Sequence, residues 1–364
     1  METKINLRPS GFTDKERIIV ESGSLTASAF IYESGVCGIR LKNEKGELVL
    51  LPFQGQQVWS AEFCGRNLTM RTLTEQPLPT RNFLESFGAF INHCGLDGVG
   101  GPSKEDTHAL HGDLPNAPYQ KAWIITGEDA KGKYIGMSGE YRHLPFFSAN
   151  YAAEPAVKLY SNSTVFTTTM KFTNLKKTAM EYCYLAHVNF RAMDNGRLVY
   201  SAIANPENVR VRASIPSHIK PGPGYVEFIE SLKTKPELHH VLKPELSFDP
   251  EAVLFINFNT DEEGRAHSMQ VHPDGTADYI SHKPSQLPKA TRWISRTKDQ
   301  DCLAIVEPAT SEPEGYLAEK KKGNVKVLQP GETFFCEMEM GFLDAKQAVV
   351  MEKKIAAIVE RSKK

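Results

Sequence analysis

The sequence reads as a mainly β protein, and three observations carry that reading. Short runs rich in Val, Ile, Thr, Phe and Tyr recur along the 364 residues, divided by breaks that carry Gly, Pro, Asn and Ser. There is no βαβ alternation and no GxGxxG phosphate loop, which removes a dinucleotide-binding architecture. One stretch alone, Asp344–Arg361, is a long helix candidate, with Ala348, Ile355, Ile358 and Val359 near helical spacing.

Taken in order, the first strands fall at Arg17–Glu21, Leu25–Tyr32, Gly38–Leu41, Leu48–Pro52 and Gln57–Phe63. Residues 66–120 then change character. Pro77, Pro79, Gly88, Gly95, Gly98, Gly100, Gly101 and Pro102 crowd a stretch where few regular elements are expected. Its Phe, Leu, Cys and His content argues for a structured segment that reaches over a cleft. Strands resume at Lys121–Thr126, Lys133–Glu140 and Ala156–Tyr160. Thr164–Thr173 and Glu181–Phe190, around the polar run Asn174–Thr178, read as a long hairpin. Residues 201–250 are proline-rich and loop-like, with Tyr225–Leu232 as one short regular piece. Glu251–Asn259, Ala266–Val271, Ala277–His282, Cys302–Glu307, Val325–Leu328 and Thr333–Phe342 complete the strands. A single domain over 1–364 is expected, with a core from about 15 to 343 and a helix over 344–361.

Charge and cysteines narrow the partners. The 43 basic and 44 acidic residues nearly balance and form no basic stripe, so nucleic acid is not expected. Six scattered cysteines without a CxxC pair predict reduced, mostly buried thiols. The first ten residues lack an apolar core and no run is long enough to span a bilayer. A cytoplasmic protein without membrane contact is the expectation, and the oligomeric state stays open between monomer and homodimer.

Candidate site residues stand out at several points. Alternation puts Cys183, Leu185, His187 and Asn189 on one strand face, so a histidine and an amide sit side by side. Leu303, Ile305 and Glu307 fall on one face by the same rule, and a carboxylate on an apolar face is costly unless paired or functional. His93, His108 and His111 could form a metal site, but a completing ligand set is lacking beyond Cys94 and Asp106. They read better as polar groups of a ligand site, and no metal is expected. Asp261 follows a strand as a turn former or ligand carboxylate. Trp293 is either core or a stacking platform. Arg191 and Arg296 are either surface ion pairs or anion forks.

The order of these pieces resembles the aldose 1-epimerase, or galactose mutarotase-like, superfamily. Leu51-Pro52-Phe53-Gln54-Gly55 with Val58-Trp59 is similar to its early strand pair. His111-Gly112 follows a Gly-rich approach. The long hairpin ends on His187, with Asn174 in its turn. Ile305-Val306-Glu307-Pro308 precedes Leu328-Gln329-Pro330-Gly331-Glu332 and a final strand. Asn92-His93-Cys94-Gly95, His108-Ala109-Leu110-His111-Gly112 and Val306-Glu307-Pro308-Ala309-Thr310 resemble a divergent, uncharacterised branch, and His187-Val188-Asn189-Phe190-Arg191 departs from the run that follows the strand histidine in the galactose enzymes.

The resemblance implies a β-supersandwich of large antiparallel sheets with one C-terminal helix. It implies a cofactor-independent mutarotase that interconverts the anomers of a small carbohydrate. Glu307 would be the base, His187 the acid, and His111 would hold or polarise the ring-oxygen region. Asn92, His93, Asp261, Trp293 and Arg191 would bind the sugar. The alternatives are a carbohydrate-binding protein without turnover, or an isomerase or lyase acting on an acidic or phosphorylated sugar.

Overall fold

The computed structural model describes residues 2–212, 220–246 and 248–363. Two antiparallel sheets dominate it, one of nine strands and one of thirteen. The nine-stranded sheet runs from Thr3–Leu7 at one edge, through the strands Lys121–Asp129, Gly132–His143, Tyr151–Tyr160, Val165–Asn174 and Thr333–Leu343, to Arg197–Tyr200 at the other. The middle of the larger sheet carries, side by side, Lys289–Arg296, Asp301–Ala309, Met180–Val188, Ile91–Leu96 and Val58–Phe63.

The sheets share one core. Phe63 of the larger sheet and Phe90, just ahead of its strand Ile91–Leu96, meet Phe166 of the smaller, with ring centroids 6.4 and 6.1 Å apart, and Phe172 meets Tyr184 at 6.1 Å. Leu41, Leu50, Ala186, Leu254, Met170 and Met340 fill the same layer without exposure. Fully buried side chains of this kind contribute roughly 1.5–3 kcal/mol each. Every other residue of the His187 strand, from Tyr182 to Val188, points into this layer. His187 therefore lies on the face turned away from it.

Asp344 opens the C-terminal helix Ala345–Ser362 with a capping box, its carboxylate accepting from the Gln347 N–H at 2.9 Å. The piece at Tyr225–Leu232 is the helix Tyr225–Thr234, and a third helix covers Tyr316–Lys321. All six cysteines are free, and Cys94, Cys183, Cys302 and Cys336 are buried. No described helix is long and apolar enough to cross a membrane.

Three expectations are corrected. The expected hairpin is a crossover, because Val165–Asn174 and Met180–Val188 belong to different sheets. The Asn174 amide holds the crossing point by donating to the carbonyls of Thr178, Leu328 and Gln329 at 2.9, 3.0 and 3.2 Å. A strand, Ile91–Leu96, runs through the Gly-rich segment and is wholly buried beside Met180–Val188. The third correction concerns Glu307. Thr291 pairs with Glu307 but Trp293 pairs with Ala304, so the Glu307 strand bulges by one residue. The bulge reverses its alternation. Leu303 and Ile305 stay in the core, while Glu307 turns to the opposite face.

Several histidines are walled into this interior. Burial pushes His93 down to about 4 and His282 down to about 3, below the ordinary histidine range. In the unfolded chain both titrate near 6.5. Between those limits the unfolded chain binds protons that the folded chain refuses, so stability is full above about pH 6.5 and falls as pH drops toward 4. Scanning calorimetry should show a midpoint level between pH 7 and 8 and declining below 6.5. His93→Gln should make that decline shallower.

Candidate active site

Register alone builds the centre of the site. His187 lies directly opposite Asn92 on the neighbouring strand. On its other side the paired residues are Leu185 and Ala309, and continuing that antiparallel register sets His187 beside Glu307. Thr291 then pairs with Glu307. Thr291, Glu307, His187 and Asn92 thus form one polar row across adjacent strands, on the face away from the core.

His187 and Glu307 are in contact. The Nδ1 atom of His187 is 2.9 Å from Oε1 of Glu307. The same Nδ1 is 2.7 Å from Oδ1 of Asn189, whose Nδ2 donates to the Ala89 carbonyl at 2.9 Å. Because the Asn189 amide is fixed with its oxygen toward the ring, Nδ1 of His187 carries a proton and Nε2 is left for a ligand. Oε1 of Glu307 lies outside hydrogen-bond geometry with Nδ1 and has no other partner among the described residues.

His111 reaches the site from the Gly-rich segment. Its ring stands edge-on to His187, with centroids 5.2 Å apart. Its N–H bonds to the Gly100 carbonyl at 3.1 Å, and its own carbonyl accepts from Gly95 at 2.8 Å. His111 itself adopts a left-handed φ of 60°, a strained conformation for such a side chain. Gly112 follows at φ 84°, where a Cβ would stand 2.5 Å from the Gly98 carbonyl oxygen, so only glycine fits. Burial, then the neighbouring His187 and His108, holds His111 well below the usual histidine range. It is a neutral ring, and with Nδ1 accepting weakly from the Gly100 N–H at 3.4 Å, Nε2 is its donor.

Aromatic rings close the site. Phe83 stands 5.0 Å from His111 and 6.1 Å from His187. Phe87 and Trp293 stand 5.4 and 5.3 Å from His187 and 6.0 Å from each other. The indole N–H of Trp293 donates to Glu251 at 2.7 Å, and Glu251 also pairs with Arg212. Beneath these rings His187 is 5 % exposed and Glu307 2 %. Both side chains are covered, with Phe87 and Trp293 among the rings that stand against His187.

The other expected residues divide. Asn92 and Trp293 join the cluster. His93 does not, because its neighbour across the strands is Ala186 on the core face, where its Nδ1 bonds to the Tyr184 hydroxyl at 2.8 Å. Asp261 is drawn to the C-terminal helix, 2.6 Å from Lys354 and 2.9 Å from His267, and its pKa lies below the usual carboxylate range because hydrogen bonds from Lys354, Arg265 and His267 outweigh partial burial. Arg191 spends its Nε on the Thr69 carbonyl at 3.0 Å. Arg296 pairs with Asp194 and Asp301 at 2.6 and 2.9 Å. His108 is bound by the Ala109 carbonyl and the Tyr316 N–H at 2.7 and 3.2 Å. His93, His108 and His111 therefore share no centre, and among the described residues no three His, Cys, Asp or Glu side chains gather to hold a metal. Thr291, Phe83 and Phe87 were not singled out in sequence. Thr291 sits two residues from Trp293 on the same strand, a signal that alternation carried.

The row is short of partners. Both amide atoms of Asn92, Oγ1 of Thr291 and Oε1 of Glu307 are buried and unpaired among the described residues. Orphaned buried groups are costly, and replacing one by an apolar group of similar shape is often neutral or stabilising. Asn92→Leu should therefore keep or raise the thermal midpoint while weakening ligand binding about tenfold, the worth of one ordinary hydrogen bond. Calorimetric titration beside a melting curve checks both halves.

The fold is that of the galactose mutarotase-like proteins. The chain aligns over 99 % of its length, and 96 % of the other, with a proposed aldose 1-epimerase from Klebsiella pneumoniae, at a TM-score of 0.80 and 20 % identity. A galactose mutarotase-like protein from Clostridium acetobutylicum is covered to 100 % by 89 % of this chain, at 0.58 and 14 %. A galactose 1-epimerase from Lactobacillus acidophilus aligns over 94 % of this chain and 98 % of its own, at 0.53 and 11 %. At such identities the likeness is one of fold. The chain belongs to the family described as "Domain of unknown function (DUF4432)", which matches residues 33–208 and 227–342. No curated protein matches it.

Proposed function

We propose that this protein is a mutarotase, interconverting the anomers of a neutral sugar by acid–base opening and closing of the ring. The observation that carries the reading is the carboxylate–imidazole pair of Glu307 and His187, 2.9 Å apart, with the neutral ring of His111 against it. Ring opening needs one proton removed and one supplied. Glu307 takes the proton of the anomeric hydroxyl. His187, protonated on both ring nitrogens as the step begins, keeps the Nδ1 proton on Asn189 and gives the Nε2 proton to the ring oxygen as the bond from that oxygen to the anomeric carbon breaks. His111 donates a hydrogen bond toward the ring oxygen. Rotation about the next carbon–carbon bond presents the other face of the aldehyde, and reclosure returns both protons.

Trp293 and Phe87 suit the apolar face of a pyranose or furanose. Asn92 and Thr291 offer the mixed donors and acceptors that hydroxyls require. A phosphorylated or acidic sugar is favoured less, because Arg212, which shares Glu251 with the Trp293 indole, is already paired with Glu251 and Glu314. The reading is tested by saturation-exchange NMR of neutral aldoses, ketoses and deoxy-sugars, with uronic acids and sugar phosphates as the contrasting set. Catalysed exchange for a neutral sugar supports it. Binding without exchange would leave a carbohydrate-binding protein, and exchange confined to charged sugars would overturn the neutral substrate.

A further inference from the structure

A second unmet demand lies on the other side of the same sheet. Arg292, between Thr291 and Trp293 in the chain, points into the inter-sheet core and is 0 % exposed. Its Nε donates to the Ile305 carbonyl at 2.9 Å, and Nη1 donates to Nε2 of His239 at 2.7 Å. The guanidinium lies 4.3 Å over the ring of Tyr200. Nη2 has no partner among the described residues.

None of these neighbours is an anion. His239 bonds through Nδ1 to the Pro236 carbonyl, and burial followed by the charge of Arg292 keeps it far below the usual histidine range. The Tyr200 hydroxyl bonds to Nε2 of His240 at 2.9 Å, and burial keeps the phenol protonated. Glu237, on the same short turn as His239, is exposed to solvent, and its field reaches Tyr200 and His240. Among the described residues no carboxylate acts on Arg292 itself. Residues 213–219 and 247 contain no Asp or Glu that could supply one.

A guanidinium does not shed its charge in a protein. A charge taken wholly out of water is costly unless paired, and an aromatic face together with two neutral acceptors offsets only part of that cost. We propose that Arg292 holds a small monovalent anion of the halide class at Nη2, inside the core. The chemistry selects that class. One cation calls for one negative charge, and a closed site demands an anion that gives up its water, which a chloride or bromide does far more readily than a phosphate or sulfate. The proposal is independent of the sugar reading, because Arg292 and the His187–Glu307 pair occupy opposite faces of the sheet.

The full-length protein, dialysed into gluconate, is titrated with chloride or bromide at constant ionic strength while its thermal midpoint is followed. The expected result is a saturable rise of about 2–5 °C in the wild type, absent in Arg292→Met. An unsaturating response shared by both proteins, or none in the wild type, overturns the proposal. Should Arg292→Met fail to fold, bromide-grown crystals of the wild type decide alone. An anomalous peak at hydrogen-bonding distance from Nη2 supports the site, and a water molecule or empty density there overturns it.

Discussion

Glu307→Gln is expected to slow catalysed anomer exchange by about 10²–10⁴-fold, the usual worth of one placed acid or base. Glutamine keeps the size and most of the shape of the side chain but cannot accept the anomeric proton. The change sits at a residue that is 2 % exposed and touches His187, so its effect on the neighbouring ring needs a control. Sugar binding measured by calorimetric titration supplies it. Affinity should stay within a few-fold, because the row of Asn92 and Thr291 and the rings of Phe87 and Trp293 are unchanged. Loss of exchange with binding retained places Glu307 in the chemical step. Loss of both would mean that the pocket had collapsed.

His187→Gln is expected to lose exchange on the same scale, and the paired variant should be little worse than either alone. Groups that act as one unit lose nearly everything when the first member goes. The geometry argues for such a unit. One carboxylate and one imidazole share a contact of 2.9 Å, and the proposed mechanism uses both in both directions. Additive losses, with the double variant slower by the product of the singles, would separate the two roles and count against the pair as drawn. Asn189 belongs to the same unit by position, since its 2.7 Å contact takes Nδ1 of His187 and leaves Nε2 for a ligand.

Much of the architecture was legible because strands announce themselves by residue type and spacing. Most strand segments were found within a residue or two, as was the C-terminal helix. The pairing was less visible. Thr164–Thr173 and Glu181–Phe190 have the composition of a hairpin, and nothing local says that the chain changes sheets between them. The carbonyls that hold Asn174, those of Leu328 and Gln329, come from about 150 residues away. Ile91–Leu96 was hidden because glycine signals a break, while here Gly95 lets the backbone of Cys183 approach to a distance that a Cβ would block.

The site divides in the same way. His187 lies against both Glu307 and His111, and Glu307 arrives there by a bulge that simple alternation could not foresee. His93 was misplaced for a related reason. Within the Gly-rich segment no alternation was assigned, so Asn92 and His93 looked equivalent. Adjacent residues of a strand face opposite ways, and only Asn92 shares a face with His187. Asp261 was placed by its distance along the chain, which says nothing of the Lys354 ammonium on a helix almost a hundred residues later.

The first strands of the chain close off both sheets. Thr3–Leu7 borders the smaller one and Arg17–Ser22 the larger, so a few neighbouring residues shield two open hydrogen-bonding margins. Trimming the chain to Ser24 would bare the margins of Lys121–Asp129 and Leu25–Ile31 together. Exposed margins template pairing with other molecules. Such a shortened form should self-associate in light scattering even where its interior survives.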